Sequence, residues 1–359
     1  MGLGAIVVVG AELENIAAAG ESHENAQEFI PEPLACVDVL GRSMLERMIE
    51  RFVRSGVEVV SVIVPEELSY SVPASYTGFE NVQIHVVSDV GVSLTQKFVE
   101  YASAGIEHSF VASASLYTET DLLDLFYFHR EARQPATRAV DELPLEMWVV
   151  DCALALESDL KKLLRKAPQA CVSYVIRDYV SRMTHPRDVR RFVSDALRGR
   201  CAVRPSGVEV KPGIWIEDGA ELHRRARIVA PAYIGRNSKV MEDTLVTRCS
   251  NIETGCCIDY GTVVEDSSIL TGTQVGIWLD VCHAVASGNK LFNLERDVRL
   301  EIADGSILRS TTVARHGVKS VQLNFDQRLV AAGFRKQPEH GKESPRPEAW
   351  QFGTNPIQG

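Results

Sequence analysis

An aliphatic residue recurs at every sixth position through much of the C-terminal half of the chain. Eleven positions follow this period without a miss: Val210, Ile216, Leu222, Ile228, Ile234, Val240, Val246, Ile252, Ile258, Val264 and Leu270. Four residues after each position from Ile216 to Val264 stands a small residue: Ala220, Ala226, Ala232, Ser238, Thr244, Ser250, Cys256, Thr262 and Ser268. An α-helix repeats its apolar face at about 3.6 residues and a half-buried strand at about two, so neither produces this period.

A period of six is typical of hexapeptide repeats, in which each repeat forms one side of a three-sided coil of parallel strands. The aliphatic residue would fill the interior, and the small residue would fit the corner. We therefore predict a left-handed parallel β-helix over residues 208–308. Residues 288–304 are expected to cap it, because an open coil end would leave strand edges unpaired.

The first half of the chain alternates short apolar strands with amphipathic helices. The runs GAIVVVGA (4–11) and VEVVSVIV (57–64) have strand length and are rich in β-branched residues. Between them, Ser43 and Glu46 have the spacing of a capping box, and Gly56 ends the helix that follows. This alternation predicts an α/β domain, residues 1–180, with a mostly parallel sheet.

The remaining segments complete the predicted domain organisation. HPRDVRRFVSDALRG (185–199) has a proline in its first turn and a glycine at its end, which predicts a helix inside a linker, residues 181–207. A C-terminal extension (309–333) follows. Residues 334–359 are rich in proline, glycine and charge, and we expect them to be a disordered tail.

Composition excludes several classes of function. The net charge of −10 argues against general nucleic-acid binding, which depends on cations that neutralise phosphates. No apolar run approaches the roughly 20 residues of a membrane span, and the short apolar stretch near the start follows no basic residue, so we expect a cytoplasmic protein without a signal peptide. The eight cysteines lack CxxC spacing, which favours reduced thiols over disulfides or zinc.

Residues 29–52, FIPEPLACVDVLGRSMLERMIERF, together with the repeat, resemble the sugar-phosphate nucleotidyltransferases that carry a C-terminal left-handed β-helix. That family includes the mannose-1-phosphate guanylyltransferases and the N-acetylglucosamine-1-phosphate uridyltransferase. The resemblance implies a Rossmann-like, GT-A-like nucleotidyltransferase domain. It also implies a nucleotide loop after the first strand, here Gly10 and Ala11, followed by a P-K-P-L segment whose proline frame is Pro31 and Pro33.

The chain departs from the family where phosphate would bind. Glu32 stands in place of the phosphate-binding lysine, and no G-x-G-T-R loop follows the first strand. Residues 1–41 contain no lysine or arginine, and the first lysine is Lys97. Ser115 stands in place of a metal-binding aspartate, so we predict no metal site. The sheet is expected to lack several strands around residues 133–147, where the family builds its sugar pocket.

Phosphoryl transfer depends on cations and backbone donors, so these departures predict a retained fold with impaired catalysis. We expect a binding, regulatory or assembly subunit in sugar-nucleotide or polysaccharide metabolism, which binds a sugar phosphate or nucleotide weakly if at all. It would form a homo-oligomer through the flat side of the coil. The alternative is an active, magnesium-dependent nucleotidyltransferase, whose cations would come from Lys97, Arg130 or a neighbouring subunit.

Three other features suggest further sites. Many hexapeptide-repeat proteins are acyltransferases with a histidine base, which makes His223 and His283 candidates for a second alternative function. Cys256 and Cys257 could form a thiol site, although the repeat explains Cys256 as a corner residue. The basic stretch 177–227, ordinarily a solvated face, could instead bind an acidic partner or a phosphorylated sugar.

Overall fold

The computed structural model describes residues 2–10, 13, 29–30, 32–73, 75–76, 78–153, 171–311 and 334–336. Within these residues the chain forms an α/β domain followed by stacked parallel strands, which confirms the predicted fold class. Ala11 and Pro31, the extension 312–333 and the tail beyond 336 lie outside the described residues. No helix among the described residues is long and apolar enough to cross a membrane.

A seven-stranded sheet forms the first domain, in the order β10-β8-β9-β6-β1-β4-β5. Its strands are β1 (Gly2–Val8), β4 (Val59–Pro65), β5 (Val82–Val87), β6 (Ile106–Ser113), β8 (Ala136–Val140), β9 (Pro144–Asp151) and β10 (Cys171–Val175). All neighbouring pairs are parallel except those made by β9, which runs antiparallel to β6 and β8. Two short pairs accompany the sheet: β2 (Asp38–Val39) with β3 (Arg42–Ser43), and β7 (Leu116–Thr118) with β11 (Val180–Arg182).

Helices cover both faces of this sheet. They are α1 (Met44–Arg54), α2 (Val90–Ser103) and α3 (Leu122–Ala132), with 3₁₀ turns at Leu34–Cys36 and Glu66–Ser71, while α4 (Pro186–Leu197) packs beside β11. Ser43 caps α1 as predicted, because its hydroxyl accepts the N–H of Glu46 at 3.1 Å. The alternating side chains of β1 divide the core: Ala5 and Val7 pack with α1, and Ile6 and Val8 pack with α2.

Strand β8 and the first half of β9 occupy the segment 133–147, for which the resemblance predicts missing strands. They place a hairpin between β6 and β10 and complete a sheet of seven. The predicted domain boundaries stay predictions.

The second domain, here called the coil (residues 208–311 and 334–336), consists of three sheets that wind around one interior. The first sheet has the order β12-β13-β16-β19-β22-β25-β26-β27, the second β14-β17-β20-β23-β28 and the third β15-β18-β21-β24-β29. The strands are β12 (Val208–Lys211), β13 (Ile214–Ile216), β14 (Glu221–Leu222), β15 (Arg227–Ile228), β16 (Ala232–Ile234), β17 (Lys239–Val240), β18 (Leu245–Thr247), β19 (Asn251–Ile252), β20 (Cys257–Ile258), β21 (Val263–Glu265), β22 (Ser268–Ile269), β23 (Thr273–Val275), β24 (Leu279–Cys282), β25 (Ala284–Ser287), β26 (Lys290–Asn293), β27 (Val298–Glu301), β28 (Leu308–Ser310) and β29 (Phe334–Lys336).

The parallel pairs of the coil have the offset that a six-residue repeat on three sides predicts. Ile216 pairs with Ile234, and Ile234 pairs with Ile252, each 18 residues further along the chain. The predicted interior residues from Ile234 to Val264 are all fully buried in one cluster. The left-handed sense of the coil stays a prediction.

The corner residues do more than fit a narrow turn. The hydroxyl of Ser238 donates to the Glu253 carbonyl at 2.6 Å and accepts the Cys256 N–H at 3.1 Å, both in the next turn of the coil. The hydroxyls of Ser250 and Thr262 repeat this pattern further along. These three corners therefore hydrogen-bond successive turns together, which satisfies backbone groups that a bend in the chain leaves unpaired.

Two predicted repeat positions at the end of the period are wrong. Ile252 pairs with Ile269, not Leu270, because the spacing after Val264 contracts from six residues to five. Leu270 packs instead in the core cluster of the first domain, and Ser267 takes the corner role predicted for Ser268. Because this repeat is one residue shorter, each side chain takes the position that the period predicts for the next residue.

The first predicted repeat position also differs from the structure. Val210 lies on β12, which pairs antiparallel with β13 and is exposed along its whole length, so Val210 contributes nothing to the interior. At the other end, β26 and β27 add antiparallel strands within the predicted cap. Strand β29, in the predicted tail, pairs antiparallel with β24.

Buried polar contacts join the two domains. Glu253 is fully buried, and its side-chain oxygens accept the N–H groups of Leu40 at 2.7 Å and Gly41 at 3.1 Å. Arg190 on α4 is also buried and forms an ion pair of 2.7 Å with Asp266 on the coil. The segment that resembles the phosphate-binding motif is thus fixed against the coil by the side chain of Glu253.

Candidate functional site

The carboxyl ends of β1, β4 and β6 form the edge at which an α/β sheet ordinarily binds its ligand. The chain continues from β1 to β4 on one side and returns to β6 on the other, so strand order reverses beside β1. Val8 pairs with Ser113 and with Ile63 there, and the Ala114 N–H donates to the Val8 carbonyl at 2.8 Å. Gly10 and Ser115, predicted from the resemblance, follow the ends of β1 and β6, so this edge is the candidate nucleotide site.

An apolar side chain lies against the first of these positions. Gly10 has a left-handed φ of +69°, which favours glycine. A Cβ atom at Gly10 would lie 2.1 Å from the Leu68 Cδ1 atom and 3.7 Å from the Pro33 Cγ atom. Leu68 and Pro33 thus line the edge with hydrocarbon, whereas a phosphate cradle needs N–H groups or cations.

Carboxylates occupy the neighbouring positions. Glu32 is exposed as a residue, yet partial burial of its carboxyl group and the charge of Asp38 raise its pKa. The pKa of Asp38 is raised by burial and by Glu217, an acidic residue of the coil. The 3₁₀ turn after β4 begins with two more exposed acids, Glu66 and Glu67. The charges of Arg47 and Arg236 act against the rise in the pKa of Asp38, so the acidic character of this edge rests on Glu32, Glu66 and Glu67.

Ser115 lies half-buried in the turn after β6. Its N–H donates to the Ser113 hydroxyl at 3.3 Å, and its carbonyl accepts the Met183 N–H at 2.7 Å. The first contact stays within the turn, and the second ties the turn to the residue that follows β11. A neutral hydroxyl is a poor ligand for Mg²⁺, which prefers carboxylate oxygens.

The two cations proposed as substitutes lie elsewhere. Lys97 is buried on α2 and forms an ion pair with Glu100 of the same helix. Its helix packs against the Ile6 and Val8 face of the sheet, whereas the segment after Glu32 packs against the opposite face. Arg130 lies on α3 with its guanidinium 5.8 Å from the centre of the Phe126 ring. These contacts give both residues structural partners.

The two candidate histidines have different surroundings. His223 is exposed, and its Nδ1 accepts the N–H of Arg225 two residues further along. His283 has an orienting carboxylate, since its Nδ1 lies 2.7 Å from Asp266 Oδ2. The other oxygen of Asp266 binds Arg190, so this carboxylate also serves the junction of the two domains.

The cysteine pair has the surroundings of unreactive thiols. Cys256 is buried at a corner, its Sγ lies 3.1 Å from the Leu270 carbonyl, and burial raises its pKa to about 12. Burial raises the pKa of Cys257 to about 11, with a further contribution from Asp259. Reactive cysteines have a lowered pKa.

The basic stretch 177–227 divides among three environments. Arg190 is buried between the domains, and Arg225 pairs with Glu242 and Asp243 on the coil surface. Arg204 lines a cavity of about 420 Å³ together with four arginines of the β3–α1 segment: Arg42, Arg47, Arg51 and Arg54. The sequence analysis overlooked these four, although the last three recur at helical spacing and therefore share one face of α1.

Comparisons with known proteins give little beyond the fold. No family model matches the chain, and no curated protein matches it. One solved structure with detectable similarity is a protein from Bacillus anthracis, assigned as a glucose-1-phosphate thymidylyltransferase and solved in complex with a sucrose. It is 8% identical, with a TM-score of 0.39, and the match covers 53% of this chain and 93% of that one. The fold described above rests on the chain's own strand order and pairing.

Proposed function

We propose that this protein is a nucleotidyltransferase-like subunit that has lost catalysis and acts in binding, regulation or assembly within sugar-nucleotide or polysaccharide metabolism. The observation that carries the proposal is the chemistry of the candidate nucleotide site. Glu32 stands where the resemblance calls for a lysine, and Leu68 packs on Gly10.

Charge decides whether a nucleoside triphosphate can bind at this edge. The ligand carries roughly four negative charges, and its transfer chemistry needs them stabilised in the transition state. Two like charges about 4 Å apart repel by about 1 kcal/mol in water and by several at the lower dielectric of a protein surface. A glutamate in place of a lysine therefore reverses the sign of a main interaction with phosphate.

A magnesium ion would offset part of this repulsion, but the protein would have to hold it with anionic ligands close to the reacting phosphates. Ser115 offers a hydroxyl and a carbonyl that already accepts the Met183 N–H. These features support loss of the phosphoryl-transfer step.

Binding and assembly are the parts of the family's function that the retained scaffold supports. The coil offers rigid sides of stacked strands, and proteins of this kind often associate through such surfaces. Association of several copies through the coil belongs to this proposal. Sedimentation of the full chain over a range of concentrations measures it, and a monomer throughout would remove this part.

Catalysis can be tested by pyrophosphate release from nucleoside triphosphates and a panel of sugar 1-phosphates with Mg²⁺. We expect no release above the rate without protein, because Glu32 stands where the family has a lysine and Ser115 where it has a metal-binding aspartate. Known amounts of pyrophosphate added to the protein check that detection works. Magnesium-dependent turnover with any pair of substrates would show an active nucleotidyltransferase and contradict the proposal.

A further inference from the structure

A strongly cationic cavity lies between α1 and residues 202–206, the segment that leads into the coil. Its volume of about 420 Å³ falls in the range of small-molecule sites. Five arginine side chains line it: Arg42, Arg47, Arg51, Arg54 and Arg204. The cavity is separate from the candidate nucleotide site, because none of Gly10, Glu32 and Ser115 is among its lining residues.

The arginines of this cavity outnumber the carboxylates that line it. Glu50 is the acidic side chain of the lining, and it is shared: Arg42 approaches it at 3.1 Å, and Arg54 pairs with its other oxygen. Five guanidinium groups face one carboxylate within the lining, although Glu46, outside the lining, also approaches Arg42 at 3.8 Å and the charge of Asp38 lies near Arg47. An ordinary ion-pair network on a helix surface would be close to balanced.

Two of the arginines are held by neutral acceptors. Arg47 is buried and donates to the carbonyls of Val39 and Leu40, at 2.9 and 3.3 Å. Arg51 donates to the carbonyl of Thr120 at 2.6 Å. Carbonyls fix the position of a guanidinium without cancelling its charge, so these contacts preorganise positive charge at the cavity.

The same cavity has an uncharged wall. Tyr117, Val203 and Pro205 contribute to its lining, and all three are buried. A cluster of cations beside hydrocarbon and an aromatic ring suits a ligand that is anionic at one part and organic at another.

We propose that this cavity binds a small organic compound that carries two phosphate groups, as a diphosphate or a bisphosphate. Each phosphate group carries about 1.5 to 2 negative charges at neutral pH, so two of them complement the excess of arginine over carboxylate in the lining. Guanidinium groups bind phosphate oxygens in pairs of parallel hydrogen bonds. The bound molecule would contact both α1 and the segment entering the coil, and so would stabilise one arrangement of the two domains.

The test is a calorimetric titration of the full chain with inorganic pyrophosphate in EDTA, which removes metal-dependent binding. We expect saturable binding with a dissociation constant of about 1 mM or tighter. The double variant Arg54→Ala/Arg204→Ala removes two of the more exposed arginines. It should weaken binding roughly ten- to hundredfold, the usual range for lost charge-assisted hydrogen bonds.

Two further variants make the test specific. Arg224→Ala/Arg227→Ala removes the same charge from exposed residues of the coil that do not line the cavity, and it should change the dissociation constant by less than about twofold. Glu50→Gln removes the competing carboxylate and should tighten binding, a direction that misfolding cannot produce. Failure of the wild type to bind below about 10 mM, or equal weakening in the two double variants, would overturn the proposal.

Discussion

Replacing Arg190 with methionine is expected to lower the free energy of unfolding by about 2–4 kcal/mol. The guanidinium is 6% exposed, and it binds Asp266 at 2.7 Å and the Cys249 carbonyl and Ser268 hydroxyl at 3.1 Å. Methionine keeps much of the side-chain volume but leaves these acceptors without their donor. The expected loss of stability is smaller than for an ion pair with both partners buried, because the Asp266 side chain is 38% exposed.

Arg187 on the same helix is the matched control. It pairs with Asp297 at 3.2 Å, and both side chains are largely exposed. Arg187→Met should change the free energy of unfolding by less than about 0.5 kcal/mol. Urea denaturation followed by circular dichroism measures both variants, and equal values for the two would show that the Arg190 contacts do not hold the domains together.

Glu253 is expected to make stability fall as pH rises from about 5 to 8. Burial raises its pKa from 4.5 to about 8, against the opposing effect of the hydrogen bonds from Leu40, Asn251 and Gly41. The folded state therefore keeps a proton that the unfolded state loses, so the contribution is fully present below about pH 4.5 and is lost as pH rises through about 8. The loss is on the order of a few kcal/mol.

Glu253→Gln isolates this contribution. Its glutamine cannot ionise, so the difference in unfolding free energy between wild type and variant should shift in the variant's favour as pH rises. The difference between wild type and variant is measured because both contain His85, His108 and His129. The pKa values of these histidines are lowered in the folded state, so they make stability rise with pH in the same range. Glu221→Gln, at an exposed carboxylate of the coil, is the control. A difference that stays constant from pH 5 to 8 would contradict the account.

The repeat made the coil predictable, because its signal is local and recurs. Every interior position from Ile234 to Val264 lies where the period of six predicts. The prediction failed at Leu270 because the interior positions Val264 and Ile269 are five residues apart. A fixed period of six does not allow for the shorter repeat. It failed at Val210 because an aliphatic residue at the end of a solenoid can lie on a terminal strand that pairs at the edge and stays exposed.

The candidate site was only partly predictable. The position of Gly10 and Ser115 at one sheet edge follows from parallel strands, whose carboxyl ends meet. Leu40 and Glu253 are 213 positions apart in the sequence, so no local sequence pattern predicts the hydrogen bond between them. Arg190 lies in a run that sequence reasoning reads as a solvated face, yet it is buried, because a long side chain can reach across an interface to its acceptors.

The arginine cavity shows a missed signal. Arg47, Arg51 and Arg54 lie on one face of α1, which spacing alone could have revealed. That face could equally have been solvated, and only the fold brings Arg204 to it from another part of the chain.

The central claim is that the edge beside Gly10 and Glu32 does not accept a magnesium-bound nucleoside triphosphate. A calorimetric titration with each triphosphate and Mg²⁺ tests it most directly, in the wild type and in Arg54→Ala/Arg204→Ala, which disables the separate cavity. The account predicts no saturable binding in the variant below about 1 mM. Micromolar, magnesium-dependent binding that persists in the variant would contradict it.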